Sequence, residues 1–293
     1  MTQIPIIATS AASSVEIAHD VASLRAKLAE WQRAGDTIAL IPTMGALHAG
    51  HISLVREAKK RARWAVMSIF VNPAQFAPSE DFGTYPRSFH ADRALFAAAQ
   101  GDLLFAPRVE DVYGEGFSTT INVRGPAAVE LEDRFRPTHF AGVAIIVAKL
   151  LNQCRADFAI FGEKDFQQLK VVTRMAHDLD FETRILSAPT VREADGLALS
   201  SRNVFLSAEE RALAPSLYAA LCACATDIKN NVPIATALDM ARAKLAAAHF
   251  AADYFEARHA ETLEPIASLG DGPVRLLAAA WLGKTRLIDN IAV

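Results

Sequence analysis

Through the first two thirds of the chain, short apolar segments rich in β-branched residues alternate with longer segments whose apolar residues recur at helical spacing. Few folds accommodate that rhythm. Residues 37–41, 65–71, 102–106, 158–161 and 182–186 read as strands, and residues 21–34, 52–62, 89–100 and 140–153 as the helices between them. Gly35 stops the first helix. In the fourth, Val143, Ile146, Val147, Leu150 and Leu151 share one face, which is expected to cover a sheet. Such alternation implies right-handed crossovers and a doubly wound parallel sheet, in which ligands sit beyond the carboxyl ends of the strands. The loops after Ile41, Val71 and Phe161 are therefore the places to look for chemistry.

After about Pro189 the rhythm changes. Two Ala-rich helical patterns, 208–229 and 234–248, are followed by strand candidates at 254–258, 274–281 and 285–289, which suits a smaller α+β domain. At 293 residues the chain is long enough for both, divided as 1–189 and 190–293. A net charge of −3 argues against nucleic acid as the main partner. Cys154, Cys222 and Cys224 form neither a disulfide framework nor a zinc pattern, and they suit a reducing cytoplasm. The longest apolar run, 141–151, is broken by Lys149 and is well short of the roughly 20 residues that span a bilayer, so no membrane segment is expected. The first 14 residues lack the basic and apolar regions of a secretion signal and read as a weakly held extension.

Four segments carry residues suited to chemistry. PTMGALHAGH, from Pro42 to His51, lies where a strand gives way to a helix, so unpaired backbone N–H groups and the positive end of the helix dipole favour a phosphate there. His48 and His51 are three apart and can face one ligand. Alternatively they cap and pack the helix start, or bind a metal for which no third ligand is evident. In FVNPAQF, Asn72 and Gln75 offer neutral amides suited to a substrate with hydroxyls beside a carboxylate, although Asn-Pro is also an ordinary turn. In GEKDFQQ, Lys164 sits at a helix start, the wrong end of the dipole for a cation unless a polyanion joins it; the plain reading is a surface pair with Asp165. The helix that follows presents Leu169, Val172, Met175, Ala176 and Leu179 as its apolar face. In LSSR, Ser200, Ser201 and Arg202 can grip phosphate oxygens or form a plain loop. Asp92 reads as part of a solvated helix face, with approach to a metal as the alternative.

In order along the chain, PTMGALHAGH, SIFVNPAQF, TYPR, RPTHFAGV, FGEKDFQQL and DGLALSSRN, with AAWLGKTRLIDN near the end, resemble the pantoate-β-alanine ligases of the HxGH nucleotidyltransferase superfamily. The resemblance implies a Rossmann-like N-terminal domain, a smaller C-terminal domain that closes over it, a homodimer, and use of ATP with Mg²⁺. It implies nucleotide-binding positions at Met44, Gly45, Ala46, Leu47, His48, Ala49, Gly50 and His51, at Gly162, Glu163, Lys164 and Asp165, at Val191, and at Leu199, Ser200, Ser201 and Arg202. Gln75 and Gln168 match pantoate positions, Gln75 also facing β-alanine, and His51 matches the proton donor; Asn72 and Met44 are further substrate candidates. The chain departs from common family residues at Ala74, Phe166 and Leu199, and in the stretch Asp133, Arg134, Phe135.

The activity so implied joins pantoate and β-alanine through a pantoyl-adenylate, on the way to pantothenate. A carboxylate is already ionised at neutral pH and needs no base to attack the α-phosphorus of ATP. Charge repulsion is the obstacle, and His48, His51, Lys164, Arg202 and the hydroxyls of Ser200 and Ser201 are the groups to offset it, with Mg²⁺. A mixed anhydride must be kept from water, and the loop 195–202 is expected to help close the site.

Overall fold

The computed structural model describes residues 15–77 and 80–293. The expected N-terminal extension lies outside the described residues. The first part of the chain runs β1 (Glu16–Ala18), α1 (Val21–Arg33), β2 (Ile38–Thr43), α2 (Ala49–Arg61), β3 (Trp64–Ile69), α3 (Phe89–Ala98), β4 (Leu103–Phe105), two single turns α4 (Val109–Val112) and α5 (Glu132–Phe135), α6 (His139–Cys154), β5 (Phe158–Gly162), α7 (Phe166–Asp178) and β6 (Arg184–Ala188). The strands form one six-stranded parallel sheet in the order β1-β4-β3-β2-β5-β6. The sequence reading recovered five of these strands to within a few residues and missed β1, a three-residue edge strand too short to show a period.

Helices cover both faces. Ile38 and Leu40 of β2 pack with residues of α1, α6 and α7, while Ala39 and Ile41 pack with α2 and Phe96 of α3. All four are fully buried, which is why β2 reads as a continuous apolar run. The same holds for α6: 12 of its 16 residues are buried, so the single covering face expected from its periodicity is too modest. In α7 the expected apolar face is buried except for Leu179, which lies past the last turn and is 51% exposed.

The chain leaves β2 toward β3 and β4, then returns to place β5 on the other side of β2. That reversal makes the switch point at which doubly wound sheets bind ligands. Here the geometry is explicit. β2 and β5 pair only at Ala39 with Phe158 and Leu40 with Ala159, although β2 continues to Thr43 and β5 to Gly162. Their carboxyl ends therefore part and leave a crevice.

The rest of the chain forms α8 (Ala208–Leu213), α9 (Ser216–Lys229), α10 (Ile234–Ala247) and an antiparallel sheet of β7 (Phe250–His259), β8 (Val274–Leu282) and β9 (Thr285–Ala292). The helix expected over 208–229 is in fact two: Pro215 cannot continue the ladder of α8 and instead begins α9. Side chains of β8 alternate between two cores. Leu276, Ala278, Ala280 and Leu282 pack with α9 and α10, whereas Leu277 and Ala279 join the core of the larger unit.

Gly142 shows how closely α6 approaches the turn after β3. A Cβ at that position would lie 2.1 Å from the backbone oxygen of Ala74. Gly142→Ala should therefore cost about 1–3 kcal/mol through overpacking, read as a lowered urea midpoint; an unchanged midpoint would contradict this packing.

Candidate active site

The crevice between β2 and β5 opens into a cavity of about 230 Å³, continuous with a cleft of about 790 Å³. The two share Arg136, Lys164, Asp165, Ser200 and Arg202. One wall is the segment from Pro42 to His51. Gly45 and Ala46 both adopt left-handed backbone conformations, with φ of 82° and 50°. Such a pair needs to be held. Asp92, reaching across from α3, accepts hydrogen bonds from the N–H groups of Ala46 and Leu47 at 2.9 and 2.8 Å, and from the Ser88 hydroxyl at 2.9 Å. With 1% of its surface exposed, Asp92 is not on a solvated helix face. Its neighbours in sequence gave no hint, because its partners lie about 45 positions away.

The histidines are arranged by the same economy. His48 is the N-cap of α2, and its Nδ1 accepts the Gly50 N–H at 3.1 Å, while the His51 Nδ1 accepts the His48 N–H at 3.3 Å. Their ring centroids are 4.1 Å apart. A Cβ on residue 50 would come within 2.8 Å of the His48 ring, which is why glycine stands there. The Gly45 N–H is taken by the Thr43 hydroxyl at 3.2 Å. The expected set of unpaired N–H groups is therefore largely absent: those of Gly45, Ala46, Leu47, His48 and Gly50 all have acceptors within the chain. What the segment turns to the cavity is side chains, Met44, His48 and His51, together with the Cβ-free approach at Gly50. With Nδ1 accepting, each neutral ring keeps its proton on Nε2 as a donor. Burial, aided by Lys164, lowers the His48 pKa to about 4; burial, aided by His48 and Lys164, lowers that of His51 to about 3. In the unliganded protein both rings are neutral, so they are donors rather than cations.

Opposite them, Gly162, Lys164 and Asp165 line the cavity at the end of β5, with Gln168 one turn into α7. Lys164 lies 3.9 Å from Asp165, the far limit of an ion pair, and is largely buried rather than on the surface. Glu163 turns away. Its carboxylate accepts from Ser187 and Arg275, so its side chain does not reach the cavity. Ala49 is exposed on the outside of the helix start, and Ala46 and Leu47 stay behind the wall.

Val191, Leu199, Ser200, Ser201 and Arg202 complete the enclosure. Leu199 N–H donates to the Val191 carbonyl at 3.0 Å, and the Ser201 hydroxyl to the Ala46 carbonyl at 3.1 Å, which docks this loop on the Pro42–His51 wall. Arg202 makes a two-pronged pair with Asp81, both contacts 2.9 Å. Arg136 makes another with Glu80, at 2.8 and 2.7 Å.

The amide wall is more constrained than its sequence suggested. Asn72 is 1% exposed; its Nδ2 donates to Gln75 Oε1 and to the Gly142 carbonyl, and its Oδ1 accepts from Ala74 N–H and the Tyr113 hydroxyl. With every position used, Asn72 has none to offer a substrate; it holds Gln75 instead. Gln75 Nε2 rests against Met44 Sδ at 3.0 Å. Its backbone carbonyl accepts from His139 Nδ1 at 3.0 Å. Sequence reasoning did not single out Arg136, His139, Tyr85 or Tyr113, whose only signal was membership of the TYPR and RPTHFAGV blocks or none at all.

A splayed parallel sheet with two histidines, a lysine and an arginine gathered at its switch point defines an α/β protein built to hold an anionic nucleotide-sized ligand. The chain belongs to the pantoate-beta-alanine ligase family, whose model matches residues 16–292. It is 57% identical over 277 residues to a pantothenate synthetase of Rhodopseudomonas palustris, covering 94% of this chain and 98% of that one, and 58% identical over the same span to pantothenate synthetase 2 of Bradyrhizobium diazoefficiens. The crystal structure of pantothenate synthetase from Thermus thermophilus superposes with a TM-score of 0.89 at 45% identity, covering 94% of this chain and 99% of that one. That of the Francisella tularensis pantoate-beta-alanine ligase, complexed with β-γ ATP and β-alanine, gives a TM-score of 0.80 at 31% identity, covering 95% and 97%.

Two outcomes follow from these contacts. In Asp92→Asn, only one oxygen remains for two N–H donors, so residues 44–50 should exchange amide hydrogen faster; unchanged exchange would remove Asp92 from this role. The second concerns acid. His48, His51 and His139, the last also lowered to about 4 chiefly by burial, have native pKa values below the unfolded value of 6.5. Below that value the unfolded chain binds more protons, so the stability they confer is complete above pH 6.5 and is lost as pH falls toward 4. Thermal melts of the unliganded protein should decline over that window, less steeply for His139→Gln, and a midpoint that rises on acidification would refute the sign.

Proposed function

We propose that the chain condenses (R)-pantoate with β-alanine at the expense of ATP, by way of a pantoyl-adenylate, to give pantothenate, AMP and pyrophosphate. The observation that carries this reading is the convergence of Met44, His48, His51, Gln75, Lys164, Gln168 and Arg202 on one cavity at the sheet's switch point. In this reading the triphosphate lies along His48, His51, Lys164, Ser200, Ser201 and Arg202, and pantoate lies against Gln75, Gln168 and Met44. Lys164 and the two Nε2–H donors offset the repulsion between acid and triphosphate, and in-line placement supplies the rest. A polyanion beside His48 and His51 favours their protonation, which suits His51 as the proton donor when pyrophosphate leaves.

Mg²⁺ is expected to enter with ATP. Among the described residues no three His, Cys, Asp or Glu side chains converge to hold a metal. That fits an ion bound chiefly through phosphate oxygens and water, with Asp165 the available cavity carboxylate; its chemistry when bound is to neutralise phosphate charge. We assign residues 1–189 to ATP and pantoate binding and residues 190–293 to covering the cleft, with the loop 195–202 part of the closure. A homodimer in the cytoplasm is the assembly and compartment we propose. The free cysteines support the compartment, and among the described residues no helix is long and apolar enough to cross a membrane.

The test is exchange of labelled pyrophosphate into ATP that depends on pantoate without β-alanine, followed by AMP release on adding the amine. His51→Ala and Lys164→Ala should each lower exchange by about 10² or more. Gln168→Ala should raise the KM for pantoate while leaving that for ATP little changed. Pyrophosphate exchange that ignores pantoate would sink the reading.

A further inference from the structure

The segment TRLIDN near the end of the chain lies in β9; Thr285 to Asp289 line the larger cleft but not the 230 Å³ cavity, and the proposed function gives the segment no task. Three of its residues are buried polar groups, Thr285 and Asp289 at 4% exposure and Asn290 at 3%, and the last two form an adjacent carboxylate and amide. Burying an amide and a carboxylate is costly unless each bond is made. Here they are made to the loops that line the cavity.

The Asn290 Nδ2 donates both of its hydrogens to consecutive carbonyls, that of Glu163 at 2.9 Å and that of Lys164 at 2.8 Å. Its Oδ1 accepts from Arg275 Nε at 2.7 Å, and the same guanidinium reaches the Glu163 carboxylate at 3.2 Å. The side chain is therefore fixed at both ends. Its backbone N–H is held by Asp289 Oδ1 at 2.7 Å, and the Asp289 carboxylate in turn receives Arg192 through two contacts, 2.6 and 2.9 Å. Arg192 follows Val191, stacks 3.7 Å over the Tyr218 ring and donates to the Gly196 carbonyl. One dipeptide of the small sheet thus grips both the turn that carries Lys164 and the loop that carries Leu199 to Arg202.

We infer that Asn290 is a positioning residue for adenylation: it fixes the backbone from which Lys164 projects, and does so from the C-terminal sheet. The inference rests on the role proposed for Lys164. Two carbonyl oxygens side by side need a group with two N–H donors and no added charge. An aspartate in the same place would set oxygens against oxygens, although it fills the same volume. Steric filling and hydrogen-bond donation therefore predict opposite orders for the Ala and Asp variants.

The experiment measures pantoate-dependent pyrophosphate exchange for the full chain as wild type, Asn290→Ala, Asn290→Asp, Lys164→Ala and the double variant Lys164→Ala/Asn290→Ala, each with a thermal melt. We expect kcat for exchange to fall about tenfold or more in Asn290→Ala, the scale of a misplaced catalytic group, and further in Asn290→Asp, with the KM for pantoate nearly unchanged. In the Lys164→Ala background, removing Asn290 should cost little more, since the two act as one unit. Activity in both Asn290 variants within twofold of wild type, beside a crippled Lys164→Ala, would overturn the inference while leaving the proposed function standing. Near-normal exchange in Lys164→Ala would overturn the role of Lys164 itself, and this inference with it. A milder effect for Asp than for Ala, fully additive losses in the double variant, or loss of the folded state in both Asn290 variants would each mean that Asn290 fills space or holds the fold, and would also refute it.

Discussion

Everything at this site depends on how little β2 and β5 pair. Two hydrogen-bonded partners near their amino ends hold the strands together, and beyond Leu40 and Ala159 the strands run on without each other. Unpaired backbone inside a protein must find other partners. Thr43 illustrates how: its hydroxyl donates to the Ser68 carbonyl at 2.6 Å and accepts the Gly45 N–H. The gap that remains is where Gly162 and Lys164 face Met44 and His48. A longer β2–β5 ladder would close the cavity with main chain.

The way the rim of that gap satisfies its own polar groups decides what kind of recognition it can perform. In a glycine-rich phosphate loop, free N–H groups do the binding. Here Asp92, Thr43, His48 and His51 have already taken those of Gly45 through His48 and of Gly50. Anion binding passes to side chains, whose charge and protonation the protein can adjust. Burial keeps His48 and His51 neutral, with native pKa values near 4 and 3. Their charge is therefore conditional on an anion arriving, which avoids the repulsion that two permanent cations 4.1 Å apart, next to Lys164, would impose.

What was legible in the sequence was what is decided locally. Short apolar, β-branched runs and the 3.6-residue period gave the parallel sheet and its helices, and strand-to-helix junctions pointed to loops that line the cavity. The ordered blocks supplied the family. What was not legible was decided by residues far apart in the chain. Asp92 looks like any acidic residue early in a helix; only the fold brings it to Ala46 and Leu47. Asn72 was read as a free amide because its partners, Gly142 and Tyr113, come from elsewhere. The Pro42–His51 loop was read as rich in free donors for the same reason. The break at Pro215 is different, since the proline was visible and the Ala-rich pattern on both sides masked it.

The two units are less separable than a domain boundary at residue 190 suggests. Leu277 and Ala279 of β8 and Tyr254 of β7 belong to the core of the larger unit. Glu132, buried beside α6, accepts from the Tyr254 hydroxyl and from Arg286, which also pairs with Asp253. Swinging the small sheet away as a rigid lid would strip the buried Glu132 carboxylate of Tyr254 and Arg286, although the Arg286 pair with Asp253 lies within the sheet and would move with it; breaking a buried pair costs about 3–5 kcal/mol. Arg192, at the start of the loop, is held by the buried Asp289, whereas the end of the loop, Leu199 to Arg202, is bound by more exposed contacts, such as the Ser201 hydroxyl on Ala46 and the Arg202 pair with Asp81. For the closure proposed above, motion is therefore cheapest at that end of the loop, with β7 to β9 docked as a fixed wall. A fixed wall is also what lets Asn290 set the position of Lys164, since a residue on a swinging lid could not hold it in the open state.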